Sequence, residues 1–410
     1  MWYSTCIQCI ILMFHLLPPE LRVLIYNYCE LSTLKSLRSS CRMFERETNS
    51  ILFHTVSLDI LPQSISTLRM IANRSSLACH VQKLVVSTNL LRPCSFSTFK
   101  RQLCHEEHIS LSQLDLLPYS RWILSISHRS KVRRRYKRYC HYLNRQKEIL
   151  RDRASLQLTL IKLFRVKKVE LRLLFDAEQS RFWQTFDHEI FASSNDGDFN
   201  FRFTTTATLY NDTNLCVTHS LLDEMSDRLT SLEIDFIPCT FWQFEHYTGV
   251  WSHLRHLKIC AEHGSTLEET CSVKAGLRKI LLNIGLIEFL HLEITPTCGY
   301  LSRTDFGELF ADVQLTVLQY LKICTGKISL HDLLRVFKVY KSKLQLFYIT
   351  DLHLVDGRWE TVFSLLKGCL HNSVVSFEGI TDGDGWSIRA VVPFNRVLKV
   401  KQAAIHDRPS

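Results

Sequence analysis

The chain has 410 residues, 46% of them hydrophobic, and a formal net charge of +10. That is enough apolar material for a sizeable core, and enough length for two or three domains or for one small domain followed by a repeat array. Only 13 glycines and 9 prolines are present, which argues against long flexible linkers and against a glycine loop cradling phosphate. No G-x-G-x-x-G, Walker A or G-x-S-x-G element occurs. The 15 cysteines follow no regular spacing. Several, such as Cys41, Cys260 and Cys324, lie inside apolar patterns where Cys acts as a small hydrophobe, so a reduced compartment, cytoplasmic or nuclear, is expected.

Residues 1–15 form an apolar lead-in without a basic start. The run is shorter than the ~18–20 residues a membrane span needs, so neither a signal nor a membrane anchor is expected. Cys6-x-x-Cys9 has no second pair at zinc-finger spacing. Residues 16–56 follow, and the first two-thirds of this stretch reads as two short amphipathic helices joined by a tight turn. Pro18 and Pro19 suit a first helical turn, and Glu20 sets a carboxylate against the positive helix end. Leu21, Leu24 or Ile25, and Tyr28 share one face. Ser32 is the expected N-cap of the second helix, whose apolar side is Leu34, Leu37, Cys41 and Phe44. About forty residues bury too little surface to be robust alone, so these stripes call for a partner.

The pattern Leu17-Pro18-x-Glu20-Leu21, then Ile25, then Leu34, Leu37, Cys41 and Phe44 resembles an F-box. Cys29 stands where a leucine is common, and Thr33 where an aspartate often caps. The resemblance implies that Leu17, Pro18, Leu21, Ile25, Leu34, Leu37, Cys41 and Phe44 dock a Skp-type adaptor protein and, through it, a cullin. The same residues also suit an ordinary helical hairpin packed on the rest of the chain.

Residues 57–165 open with a helical stripe (Ile65, Leu68, Ile71 or Ala72) followed by strand-like Val81, Leu84 and Val86. The stretch TLRMIANRSSLACHVQKLVV resembles the segment that follows the F-box in many fungal F-box proteins, which continue into irregular leucine-rich repeats. Cys104-His105-Glu106-Glu107-His108 lacks His-Glu-x-x-His spacing and reads as a solvated turn. Residues 129–153 carry eleven Lys or Arg against two carboxylates, nearly all of the chain's net charge. Tyr136, Tyr139 or Cys140, Leu143, and Ile149 or Leu150 recur at helical spacing, so a packed helix with a solvated basic back is expected. The alternative is an import signal or acidic-partner contact centred on Arg133, Arg134, Arg135, Lys137 and Arg138. Nucleic-acid binding is not favoured, because three tyrosines on one helix make no stacking platform.

From residue 166 to about 395 a motif, apolar-x-x-apolar-x-apolar, returns. Its copies are Val166, Val169, Leu171; Leu229, Leu232, Ile234; Leu254, Leu257, Ile259; Ile287, Leu290, Leu292; Leu318, Leu321, Ile323; Leu344, Phe347, Ile349; and a weak copy at Val374 and Phe377. From Leu229 the starts are 25, 33, 31, 26 and 30 residues apart, with helical stripes between them. Each unit is one strand plus one helix, unable to bury its apolar face alone, which is how a leucine-rich solenoid reads. Phe53, Val56, Leu58 and Val81, Leu84, Val86 match the motif, so the array can begin directly after the F-box. Residues 175–228 form an insertion and 396–410 a polar tail. The expected class is α/β: an all-α F-box followed by an irregular leucine-rich-repeat-like solenoid of parallel strands plus helices. A general α/β domain with leucine-bearing strands is the rival.

Parallel strands stack equivalent positions about 4.8 Å apart. Pointing away from the core are Glu233, Lys258, His291, Lys322, Tyr348 and Glu378, and one step earlier Ser231, His256, Phe289, Tyr320 and Leu346. Aromatics beside mixed charge suit protein binding, so His256, Lys258, Phe289, His291, Tyr320, Lys322, Leu346 and Tyr348 are the candidate target-binding residues. No catalytic constellation, metal set or cofactor motif is read, and no enzymatic activity is expected. By resemblance the chain is expected to be the substrate-recognition subunit of a Skp–cullin–F-box ubiquitin ligase, holding an unknown protein substrate. The alternatives are an adaptor-binding scaffold outside a cullin ligase and a polyanion-binding or nuclear protein built on the basic helix.

Overall fold

The computed structural model describes residues 14, 16–87, 93–99, 120–172, 222, 224–237, 253–262, 267–295, 304–340, 342–369, 374–382 and 387–393. Most of the lead-in and the insertion, the polar tail, and the Cys6–Cys9 and Cys104–His108 motifs lie outside the described residues.

Among the described residues the N-terminal unit has three full helices where the sequence suggested two. Helix α1 (Pro19–Tyr28) begins on a proline with Glu20 in its first turn and stops at Cys29, which is extended. Helices α2 (Leu31–Ser40) and α3 (Arg42–Leu52) are separated by Cys41, whose φ of −158° and ψ of 161° break the helix. Ser39 and Ser40 turn their hydroxyls back onto the Lys35 and Leu37 carbonyls, the local bonding by which serine competes with helix continuation. Phe44 therefore belongs to α3. Ser32 is not the cap: Glu30 precedes the helix, and Ser32 lies in its first turn with Oγ 3.4 Å from Glu30 Oε2.

The remaining elements build one sheet. In chain order they are β1 (Thr55–Leu58), α4 (Pro62–Ala72), α5 (Ser75–Ala78), β2 (Lys83–Ser87), α6 (Ser120–Arg151), α7 (Arg153–Ile161), β3 (Lys168–Arg172), β4 (Ser231–Ile237) and β5 (His256–Glu262). Then come α8 (Leu267–Asn283), β6 (Phe289–Thr295), α9 (Phe306–Leu309), β7 (Tyr320–Ile328), α10 (Leu330–Tyr340), β8 (Leu346–Leu354), α11 (Trp359–Cys369), β9 (Val374–Thr381) and β10 (Ser387–Pro393). Strand order equals chain order, β1 to β9 pair in parallel, and β10 returns antiparallel on β9. The class is α/β, and the sheet begins next to the helical unit, at Thr55. The antiparallel final strand had no signal in the repeat motif.

The crossovers into β2 through β8 enter their strands in the same way. Two consecutive N–H groups donate to one carbonyl of the preceding repeat: Lys167 and Lys168 to Gln82, Thr230 and Ser231 to Lys167, Arg255 and His256 to Thr230, Glu288 and Phe289 to Arg255, Gln319 and Tyr320 to Glu288. This shared start aligns the motif's apolar positions rung by rung. Leu232, Leu257, Leu290, Leu321, Phe347 and Val375 form one inward row, and Ile234, Ile259, Leu292, Ile323, Ile349 and Phe377 the next. Both rows are buried with Leu277, Ile280, Leu281 and Ile284 of α8 and its C-terminal end, Leu333 and Phe337 of α10, and Trp359, Val362, Phe363 and Leu366 of α11. The helices thus cover one face, leaving the other to the alternate side chains.

The register corrects the last repeat. Val375, not Phe377, opposes Phe347, while Val374 opposes Leu346 on the outer face and is 37% exposed. Glu378 opposes Thr350, and Ser376 is the partner of Tyr348. The weak copy lacked a third apolar residue to fix its phase. Three successive strands also carry a left-handed residue at matching height: Thr325 (φ 59°), Asp351 (φ 52°) and Gly379 (φ 63°). The register continues across this level, so the three strands change their inward phase together, and Ile328, Leu354 and Ile380 are buried beyond it.

The register assignment makes opposite forecasts for two adjacent valines. Val375→Ala should destabilise the sheet by roughly 1.5–3 kcal/mol, the worth of a fully buried valine. Val374→Ala should stay within about 0.5 kcal/mol, as for a surface change. Urea unfolding of the two variants decides the register.

Candidate functional site

Two surfaces hold the residues singled out from the sequence. The first is the helical unit, which closes a small interior of its own. Tyr26, Leu34 and Phe44 are buried there, with Phe14, Cys29, Leu37, Cys41, Met43, Ile51 and Leu52 packed around them. Phe14 stacks tilted on Tyr26 and edge-on to Phe44, with centroids 5.7 and 5.5 Å away. This interior is separate from that of the sheet.

A polar clamp locks α1 onto α3. Arg22, itself 8% exposed, donates from Nη2 to Glu47 Oε1 (2.6 Å) and from Nε to Oε2 (3.0 Å). Its Nη1 reaches the Leu17 carbonyl at 2.5 Å. Tyr26 donates its hydroxyl to Glu47 Oε2 at 2.7 Å. Burial, and then the Glu47 carboxylate, push the Tyr26 phenol well above its usual range. Arg22 lies in the middle of the motif that carries the F-box resemblance, and Glu47 is 25 residues away, so nothing in the spacing pairs them.

With that clamp inside, the apolar face of α1 points outward. Leu21 (47%), Leu24 (51%), Ile25 (38%) and Tyr28 (85%) are exposed, together with Leu16 and Leu31 on either side. The eight candidate adaptor contacts therefore divide. Leu21, Ile25 and Pro18 are exposed and Leu17 is half-buried; Leu37 and Cys41 are half-buried against the unit's interior; Leu34 and Phe44 are inside it.

The second surface is the face of the sheet that no helix among the described residues covers. Its early strands are charged: Glu170 lies between Lys83 and Arg172, and Lys258 meets Asp235 at 2.8 Å. Burial pushes the Glu170 carboxyl up, but the Arg172 and Lys83 cations outweigh it and hold the group below its ordinary value. Farther along, the row of strand-entry residues becomes a stack. His256 lies 4.0 Å over Phe289 at 4°, Phe289 lies 4.0 Å over Tyr320 at 11°, and Tyr348 closes the run 5.5 Å from Tyr320. Burial holds the His256 pKa below its ordinary value, with Glu233 acting in the opposite sense. All the candidate target-binding residues share this face. His256, Lys258, Phe289, Tyr320, Lys322, Leu346 and Tyr348 are half-buried, and His291 is buried.

Beside His291 lies a group that sequence spacing did not bring out. His291 Nε2 is 3.6 Å from Glu293 Oε2 and 3.7 Å from Cys324 Sγ, and Cys260 Sγ is 3.6 Å from the same Glu293 oxygen. Cys260 and Cys324 occupy the strands flanking β6. Burial pushes the Cys324 thiol up to about 11 and the Cys260 thiol higher still.

The basic helix α6 has its buried line at Val132, Tyr139 and Gln146, two heptad steps, with Gln146 donating to the Ile60 carbonyl at 3.3 Å. Tyr136 and Tyr139 pack on Phe99, and Tyr136 also on Phe96. Arg133, Arg134, Lys137 and Arg138 are exposed and Arg135 half-buried. Among the described residues no helix is long and apolar enough to cross a membrane. No protein-family model matches the chain, and no curated protein matches it significantly.

Removing the clamp's acceptor tests how α1 is held. Glu47→Ala leaves the Arg22 guanidinium and the Tyr26 hydroxyl without the carboxylate they share. Amide exchange in α1 should then accelerate roughly tenfold or more, the scale of one lost buried hydrogen bond, with the strand amides of the sheet unchanged.

Proposed function

We infer that this chain is the substrate-recognition subunit of a Skp–cullin–F-box ubiquitin ligase. In this reading the helical unit is an F-box that docks a Skp-type adaptor, and the outer face of a leucine-rich-repeat-like sheet holds a target protein. The observation that carries it is the apolar stripe of α1. The helical unit satisfies its interior with Tyr26, Leu34 and Phe44 and still leaves Leu21, Leu24, Ile25 and Tyr28 outside. A contiguous apolar face on a closed module is what a protein partner covers.

The chain acts by proximity in this scheme. It performs no bond chemistry; it raises the effective concentration of a target near a modifying enzyme carried elsewhere in the assembly. The adaptor contacts are Leu17, Pro18, Leu21 and Ile25, joined by Leu24, Tyr28 and Leu31, whereas Leu34 and Phe44 support the module from within. The stack His256–Phe289–Tyr320–Tyr348 supplies rigid aromatic area for the target, with Lys258 and Lys322 beside it.

A charge on the exposed stripe separates docking from folding. Ile25→Glu should weaken capture of a purified Skp-type adaptor by at least roughly 30-fold, the loss of one hot-spot residue, with the helical content unchanged. Unaltered capture by this variant would end the F-box reading.

The outer face has its own test. In proteasome-inhibited cells, the double variant Phe289→Ala, Tyr320→Ala should lose at least roughly tenfold of its captured target while keeping the adaptor, because two central aromatics are removed. Retention of the same proteins would move target binding to another surface.

A further inference from the structure

The geometry points to a divalent-cation site, suited to zinc, formed by His291, Glu293 and Cys324 on the outer face of the sheet. Their ligand atoms (one imidazole nitrogen, one carboxylate oxygen, one thiol sulfur) all lie within 4.8 Å of one another. Bonds of about 2.0–2.3 Å to N, O and S in a tetrahedral site set ligand–ligand edges at roughly 3.3–3.6 Å. The observed edges from His291 Nε2 are 3.6 Å to Glu293 Oε2 and 3.7 Å to Cys324 Sγ. Closing on a metal therefore takes shifts of a few tenths of an ångström on those edges.

The backbone fixes these three groups before any metal arrives. His291 and Glu293 are two residues apart on β6 and so point to the same side. Cys324 is the direct register partner of Glu293 on β7. His291 is 7% and Cys324 5% exposed, so two of the three donors are withdrawn from bulk water although no helix among the described residues covers their face. A mixed N, O, S set favours borderline-soft Zn²⁺ over Mg²⁺ or Ca²⁺, which take oxygen. Three protein ligands leave a fourth position for water or for a side chain of a bound molecule. On binding, the Cys324 thiol gives its proton to solvent and the thiolate takes the metal; Glu293 binds as the carboxylate and His291 as the neutral ring. Cys260 touches Glu293 from the opposite strand and lies outside the compact triad. The site does not depend on the ligase reading, since it needs only the sheet.

The test is Co²⁺ and Zn²⁺ titration of the full chain under reducing conditions. The expected result is one Co²⁺ per chain with thiolate-to-metal absorption, displaced by Zn²⁺. Cys324→Ser should abolish that absorption, and His291→Ala should weaken Zn²⁺ in competition with a chelating dye by at least the ~10–100-fold typical of losing a mere supporting partner. Cys260→Ser should keep the absorption. Circular dichroism confirms that each variant is folded, as expected for side chains outside the main core. A folded wild-type chain without the absorption, or a band of equal strength in Cys324→Ser, overturns the site.

Discussion

The hydrogen-bonded step by which each repeat hands its strand to the next governs the rest of the molecule. A single carbonyl receives two N–H groups from the following repeat, at Gln82, Lys167, Thr230, Arg255, Glu288 and Gln319 in turn. Because the entry point is fixed, helices and loops of unequal length can be placed between strands without shifting the ladder. Motif starts 25 to 33 residues apart still bring Leu232, Leu257, Leu290 and Leu321 onto one rung. A slip of one residue would turn every leucine to the outer face and every charge inward. The inward rows and the helix stripes are buried in one continuous interior, so no repeat stands alone.

The same ladder composes the outer face. Residues remote in sequence become neighbours about 4.8 Å apart, and what they form depends only on which side chains share a rung. Lys83, Glu170 and Arg172 give ion pairs; His256, Phe289 and Tyr320 give stacked rings; Glu293 between Cys260 and Cys324 gives a cluster of potential donors. The face is thus graded along the sheet from charge through aromatic area. The helical unit follows a different rule. Three helices around Tyr26, Leu34 and Phe44 enclose little apolar volume, and the Arg22–Glu47–Tyr26 clamp supplies directional bonding where hydrophobic area is scarce.

Much of the sheet could be read from the chain because a leucine motif reports both the strand and its inward side. The copies at Leu254, Ile287 and Leu318 each hold three apolar positions, and all three are buried. The copy at Val374 held two, and the structure shifts its phase by two residues, setting Phe377 against Ile349 rather than Phe347. The helix break at Cys41 was hidden for a related reason: Leu34, Leu37, Cys41 and Phe44 keep helical spacing across it, and only the serines before Cys41 hint at a stop. Tyr139 was visible as a packed position of α6, whereas Gln146 was not, since a polar residue in a basic stretch announces nothing until its Ile60 carbonyl partner is known. The donor cluster was equally silent. His291 and Cys324 are 33 residues apart, a distance that carries meaning only once the register is known.

The division of the motif residues of the helical unit follows from how the unit folds. Leu34 and Phe44 are spent on the interior, so a charge there would remove the module rather than its contact. Leu21, Leu24, Ile25 and Tyr28 lie on the helix that the clamp holds from behind through Arg22 and Tyr26. On α1 the inward positions 22 and 26 are four apart, one helical repeat, and the outward apolar residues fall between and beyond them. Arg22 and Tyr26 thus do the anchoring on the inner side, which leaves the leucines and isoleucine of the outer side exposed. An amphipathic helix normally spends its apolar face on its own protein. Here the arrangement is reversed, and the reversal leaves the apolar face of α1 exposed.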